Sequence, residues 1–385
     1  DFLHRTGVVN DETLDFLRDY RFTGTVRGYA EGECYFAGSP LLTVEGTFAE
    51  ACILETLALS IYNYDCAVAS AASRMTIAAH GRPCVDFGAR RAHEQAAVAA
   101  ARASVVGGFV GTSNLEAGLL YGIPTVGTSA HSFTLLHDSE EDAFAAQVAS
   151  LGPSTTILVD TYDIATGVER AVKAARAAGG ELGAVRLDSG DLVAEAFKVR
   201  AQLDTLGATS TKITVTNDLD EHAIAALGAA PVDSYGVGTK LVTGSGRPTA
   251  ALVYKLVERE GADGTMEEVA KFSSGGKSTV GGHKWAGRRL TSEGTAAEEL
   301  VVSSSSQDQG LAALSEAGAR PLQVLLVDEG RIIEEHRGKE ALSAAAERHR
   351  AARAELPYDA WRLSDGESAL PTRHVDLDGR SATRR

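Results

Sequence analysis

The chain has 385 residues, 44% of them hydrophobic and 23% charged, and a formal net charge of −15. That length accommodates one large α/β domain with a smaller companion, and the composition is that of an ordinary globular protein. The acidic balance excludes nucleic-acid binding by general electrostatics, no apolar run nears the roughly twenty residues of a membrane span, and no signal-peptide pattern is read.

The opening, "DFLHRTGVVNDETLDFLRDYRF", starts at Asp1 and reads like the middle of a chain, so an N-terminal segment is expected to be missing. Residues 24–50 alternate in short strands broken by Gly and Pro, then enter a helix, "TFAEACILETLALSIYNYDCAVASAASRM", which is apolar nearly all round and predicted to be largely buried. Cys34, Cys52, Cys66 and Cys84 form no C-x-x-C pair and have no zinc spacing to nearby histidines, which predicts buried free thiols in a reducing cytoplasm.

From residue 83 the pattern becomes regular. Seven apolar runs of strand length, "PCVDFG", "VVGGFVGTSN", "IPTVGTSAHS", "TTILVDTYD", "GAVRLDSGD", "KITVTNDLD" and "VDSYGVGTK", alternate with helices such as "IATGVERAVKAARAAGG" and "LVAEAFKVRAQLDTLGA". Strands near 155, 183 and 212 recur at about the thirty-residue length of a βαβ unit. Continuous apolar runs predict parallel strands buried on both faces. Polar, acidic and Gly-rich residues follow each run, at the carboxyl ends where α/β folds build their sites. The predicted fold is an irregular (β/α) barrel over 83–245, with a doubly wound sheet as the alternative. A mixed α+β domain is predicted from residues 1–82 and 246–365, including a Gly-rich hairpin in "VAKFSSGGKSTVGGHKWAGRRL", and residues 366–385 are predicted to be a loosely ordered polar tail.

Individual motifs admit two readings. In "RLDSGD", Asp188, Ser189, Gly190 and Asp191 offer carboxylates, a hydroxyl and amides to a sugar phosphate or Mg²⁺, or they simply cap the following helix. "YGVGTK" suits a phosphate or an ordinary βα turn. "DFGARRAHE" sets Arg90 and Arg91 beyond a strand end, fit for an anion or for a solvated helix start. His131, in "GTSAHSF", is a core histidine or a nucleophile or base oriented by Asp160 of "VDTYD" on the next strand. Seven polar strand ends on one rim exceed what capping explains.

The motifs "EGECYF…PLLTVEGTFAEACILETLAL", "DFGARRAHE", "GTSNLEAG", "GTSAHSF", "VDTYD", "VRLDSGDL", "NDLDE", "YGVGTKL" and "VYKLVE…KFSSGGKSTVGGHK" together resemble the nicotinate phosphoribosyltransferases, in the family's order and over roughly residues 24–290. The resemblance implies an irregular α/β barrel beside a mixed domain built from both chain ends. The implied reaction joins nicotinate to phosphoribosyl pyrophosphate, giving nicotinate mononucleotide and pyrophosphate, with ATP hydrolysis coupled through a phosphohistidine. Mg²⁺, a cytoplasmic setting and a homodimer are implied with it.

By position, His131 resembles the phosphate acceptor, with Asp160 its orienting partner and Asp188 the third catalytic group. Phe87 resembles the ring that stacks on the base, and Arg90, Arg186 and Asp188 resemble ligands of the base and phosphoribosyl groups, with Ser189, Gly190 and Asp191 beside them. Asn217, Asp218, Gly236, Gly238 and Thr239 resemble the 5′-phosphate and ribose cradle. The family's "TDLYQLTM"-like segment, whose Tyr covers the base in a partner's site, does not precede "DFLHRTG", which makes a non-catalytic remnant one alternative. A nicotinamide-using relative is another. It carries an Asp where this chain has Ser113 and Asn114, and a neutral loop suits a carboxylate substrate. Quinolinate phosphoribosyltransferases use no phosphohistidine, and His131 in its motif argues against them.

Overall fold

A computed structural model describes residues 2–271 and 280–378. The chain divides into two compact units, one comprising Ser60–Leu252 with Gly338–Glu367 and the other Asp1–Leu59, Val253–Arg337 and Ser368–Arg385.

The first unit is built on six parallel strands: β1 (Cys84–Asp86), β2 (Gly111–Thr112), β3 (Thr156–Leu158), β4 (Ala184–Leu187), β5 (Lys212–Val215) and β6 (Ser234–Val237). Their order is β2-β1-β6-β5-β4-β3. The seventh predicted strand, at residues 123–128, contributes only a parallel bridge from Thr125 to Thr112, because Pro124 has no N–H to offer the ladder. Alternation along the strands separates two environments. Val185, Leu187, Ile213, Val215, Tyr235 and Val237 are fully buried against helix residues such as Val168, Ala196, Val199 and Leu203. The alternate positions, Val85, Thr156, Ala184, Thr214, Ser234 and Gly236, line a cavity of about 280 Å³ together with Val126 and Thr128. Side chains from both outermost segments share this cavity, so the sheet is curled. Its inner face is small and hydroxyl-bearing rather than continuously apolar.

The helices follow the predicted periodicity. Ile164–Ala177 and Leu192–Thr205 are capped by the Asp163 and Asp191 carboxylates, which accept the Thr166 and Ala194 amides. Among the described residues no helix is long and apolar enough to cross a membrane.

Helix Phe48–Ala78 is not buried along its whole length. Val68, Ala71, Ala72 and Met75 enter the core, whereas Phe48, Ile53, Leu57 and Ile61 are exposed. That packing places the division between units at residues 59 and 60, inside the helix, rather than at 82. Residues 338–367 also rejoin the barrel unit, because Leu342 and Ala345 pack with Ala101, Val106, Ala117 and Ile123.

Among the described residues the second unit holds two four-stranded sheets and a two-stranded ribbon. Strand Thr25–Tyr29 lies between Leu42–Glu45 and Gln323–Asp328, antiparallel to both. Strand Lys284–Leu290 pairs with Ala296–Ser303, and the ribbon joins Glu258–Glu260 to Met266–Glu268. Residues 272–279 of the predicted Gly-rich hairpin lie outside the described residues. The predicted loose tail is corrected over Thr372–Asp376, which forms a strand parallel to Ala296–Ser303, pinned by Arg373 to Glu298 at 3.0 Å; residues 379–385 of it lie outside the described residues. None of the four cysteines is in a disulfide; Cys84 is buried, Cys34 and Cys66 are half-buried, and Cys52 is exposed, so the expectation of burial holds fully for Cys84 alone.

Candidate active site

The carboxyl ends of β3, β4 and β5 and the loop after Thr125 converge. His131 opens the short helix His131–Leu136. Its Nδ1 lies 3.1 Å from the Thr161 hydroxyl, while Nε2 lies 3.8 Å from Asp160 Oδ1 and 4.0 Å from Asp188 Oδ2. Asp160 therefore faces the imidazole, but the ring's direct hydrogen bond is with the Thr161 hydroxyl. A ring with a hydroxyl on one nitrogen and two carboxylates toward the other has a fixed orientation and a preferred tautomer.

Asp160 is itself anchored. Its Oδ2 accepts the Asp188 N–H at 2.8 Å and the Ser189 hydroxyl at 2.7 Å, which ties the end of β3 to the turn after β4. Its Oδ1 is buried and has no hydrogen-bond partner. A buried carboxylate oxygen aimed at a histidine and beside a second carboxylate is an orphan that a cation or a donor would satisfy.

Arg186 is on the cavity face of β4, where alternation from Ala184 puts it. Each nitrogen of its fork is engaged: Nη1 donates to Thr128 at 2.7 Å, Nε to Thr216 at 2.8 Å and Nη2 to Asp188 at 3.0 Å. The Thr216 hydroxyl in turn donates a hydrogen bond to Asp188. The guanidinium lies 5.6 Å over the Phe87 ring. Gly236 is required here, since a Cβ would sit 2.6 Å from both Phe87 Cδ2 and Thr216 Cγ2. A flat aromatic face below a fixed cation suits a planar ligand carrying an anionic group.

The loop bearing Thr128 and His131 is held from behind. Gln147, buried on helix Glu140–Leu151, accepts from Ser129 at 2.7 Å and donates to the Thr155 hydroxyl at 3.2 Å and the Thr156 carbonyl at 2.8 Å.

Of the residues picked out in the sequence, His131, Asp160, Asp188, Ser189, Arg186, Phe87 and Gly236 thus form one connected group. Ser113 lies at the end of β2, its N–H donating to the Asp86 carbonyl at 2.7 Å. Asn217 and Asp218 are exposed just past β5, and Asn217 adopts a left-handed φ of 96°, with its Oδ1 accepting the Asp218 N–H. Gly190, with φ 81°, makes the turn before Asp191, whose carboxylate is engaged as a helix cap. Gly238 and Thr239 follow β6, and Arg90 stands exposed in the turn after β1. No bond joins Arg90 to the His131 group among the described residues.

Thr128, Thr161, Thr216 and Gln147 were not picked out from the sequence. Thr161 and Thr216 each sit beside a chosen residue at a strand end, which is the only signal they carried. Among the described residues no three His, Cys, Asp or Glu side chains form a metal cluster.

A family model for the nicotinate phosphoribosyltransferase N-terminal domain matches residues 1–63, and one for the nicotinate phosphoribosyltransferase family matches residues 83–273. The nicotinate phosphoribosyltransferase pncB1 of Mycobacterium tuberculosis is 51% identical over 371 residues, covering 94% of this chain and 79% of that protein. Human nicotinic acid phosphoribosyltransferase superposes with a TM-score of 0.74 at 23% identity over 98% of this chain and 85% of that one, a likeness of fold. A Pyrococcus furiosus protein described as nicotinate-nucleotide pyrophosphorylase gives 0.72 at 25% identity, over 90% and 84%. With both parts of the family pattern matched and 51% of the residues identical over an alignment that spans 94% of it, the chain belongs to the nicotinate phosphoribosyltransferase family.

Proposed function

We propose that this protein joins nicotinate to phosphoribosyl pyrophosphate, releasing pyrophosphate and forming nicotinate mononucleotide, and that ATP drives the reaction through phosphorylation of His131. The observation that carries the reading is the clasp on His131, which lies 4.0 Å from the Asp188 carboxylate that Arg186 bonds at 3.0 Å. In the first step a His131 nitrogen attacks the γ-phosphorus, the bond to ADP breaks and an N–P bond forms; water later cleaves that bond.

In the transfer step Phe87 carries the pyridine ring and Arg186 neutralises the nicotinate carboxylate, while Asp188 faces the cationic ribose that develops as pyrophosphate leaves. Asn217, Asp218, Gly238 and Thr239 offer hydroxyl, amide and backbone groups to the ribose and 5′-phosphate. The orphan Oδ1 of Asp160 and Oδ2 of Asp188 fit Mg²⁺, which takes one or two carboxylates along with substrate phosphates and would supply charge neutralisation there. A cytoplasmic homodimer belongs to the same reading: no disulfide joins the four cysteines, and exposed Leu115, Leu119, Leu135 and Leu136 offer apolar surface to a second copy.

The test is incubation with γ-labelled ATP. Acid-labile, base-stable label on the wild type, absent from His131→Asn, is the expected result, together with nicotinate-dependent release of pyrophosphate. Equal labelling of the two proteins would overturn the assignment. Ser113→Asp should favour nicotinamide relative to nicotinate in a competition assay; an unchanged ratio would remove Ser113 from the specificity loop.

A further inference from the structure

Two turns leave the neighbouring strands β1 and β2, and one buried carboxylate serves both. Asp86 ends β1 with no exposed surface. Its Oδ1 accepts the Gly88 N–H at 2.7 Å and its Oδ2 accepts the Thr112 hydroxyl at 2.7 Å. Thr112, equally buried at the end of β2, accepts the Asn114 N–H at 2.9 Å. The hydroxyl thus has a single direction: it receives from Asn114 and gives to Asp86.

The bond to Gly88 is a local turn that any Asp makes. The bond to Thr112 is not local, since it crosses between strands. Both partners are neutral, and burial pushes the Asp86 carboxyl above its ordinary range despite them. Such a group costs stability unless its hydrogen bonds are kept, so an isosteric apolar pair would fill the space better. The turn it fixes has little slack. A Cβ at Gly88 would meet Val242 Cγ1 at 2.3 Å and the Gly238 carbonyl at 3.1 Å, so the backbone is already pressed onto the turn after β6.

We propose that Asp86 and Thr112 are positioning residues that lock the turn bearing Phe87 and Arg90 to the turn bearing Ser113, and so shape the side of the site that receives the acceptor base. The inference rests on reading Phe87 and Ser113 as base-facing. Neither Asp86 nor Thr112 touches substrate in it; they act through their neighbours.

The experiment uses the full chain with Thr112→Val, which keeps the shape and deletes the hydroxyl, and Thr112→Ser, which keeps the hydroxyl. Thr112→Val should raise the KM for nicotinate about tenfold, within the hundredfold that small misplacements cost. The KM for phosphoribosyl pyrophosphate and the labelling of His131 by ATP should stay within about twofold of wild type, and Thr112→Ser should restore the nicotinate KM. Amide hydrogen exchange should show Gly88 and Asn114 losing protection together in Thr112→Val, with the Phe87 amide, bonded to the Val237 carbonyl, unaffected. An unchanged nicotinate KM, or a parallel decline of all three activities, would overturn the proposal. Should the wild type release no pyrophosphate with nicotinate, the reading of function fails. Exchange then decides the coupling alone: joint loss at the two amides supports it, and an unaltered Gly88 refutes it.

Discussion

The Nδ1 of His131 and the hydroxyl of Thr161 lie 3.1 Å apart, and this bond, rather than one to Asp160, fixes the imidazole. Removing it with Thr161→Val should slow labelling by ATP roughly tenfold while leaving the nucleophile in place. Thr161→Ser should label at nearly the wild-type rate. A rapid-quench time course separates the two, and identical rates for Val and Thr would mean that the carboxylates alone orient the ring.

Arg186 donates from all three guanidinium nitrogens and still has two N–H groups for a substrate carboxylate, so lysine is a poor substitute. Arg186→Lys should raise the KM for nicotinate at least tenfold, about 1.4 kcal/mol. Initial rates at varied nicotinate check this. A value within twofold of wild type would place the substrate carboxylate elsewhere.

Lys284 is buried in the second unit, its Nζ donating to the Gly282 carbonyl. Burial lowers its pKa to about 8, partly opposed by Glu268 and Glu258. Between that value and the ordinary lysine range near 10.5, the unfolded chain binds more protons than the folded one, so stability rises with pH across the window. The contribution is lost as pH falls through about 8. Urea unfolding at pH 7 and pH 10 should show wild type gaining on Lys284→Met by on the order of 2–3 kcal/mol. Parallel curves would show that the ammonium is better solvated than its position indicates.

Arg288 and Glu299 are both fully buried and meet at 2.8 Å on paired strands. Arg288 also donates to the Cys34 carbonyl, and Tyr29 and Ser39 donate to Glu299. Glu299→Gln would leave a buried guanidinium short of its counter-charge and should cost about 3–5 kcal/mol. Trp285, on the same strand as Arg288, reports the transition by fluorescence. A loss under about 1 kcal/mol would mean that Glu33, 3.4 Å from Arg288, carries the balance.

What the sequence made legible was whatever depends on periodicity and strand ends. The β4 run "AVRL" announces two buried faces, and its continuation "DSGD" announces the rim where Asp188 and Ser189 stand. The helices after Asp163 and Asp191 carry their caps in the letters. Contacts across the sheet were not legible, because nothing local relates Thr128 to Arg186 or Gln147 to Ser129. The division inside helix Phe48–Ala78 was hidden for a similar reason: its apolar residues run all the way round, and only packing decides which half is covered. The tail strand Thr372–Asp376 was masked by its charged residues, which an edge position tolerates.

The barrel unit is interrupted by Val253–Arg337, and its last piece is helix Gly338–Ala354, whose His349 bonds Ser73 at 2.8 Å and whose Arg353 bonds Thr76 at 2.9 Å. During synthesis, then, the parallel strands all emerge well before the helix that covers Ala101, Val106, Ala117 and Ile123. At roughly 5–20 residues per second the nascent chain waits several seconds with that apolar patch open. A ribosome-bound chain stopped at residue 337 should therefore be a client for a holding chaperone, and one extended past residue 354 should be released from it.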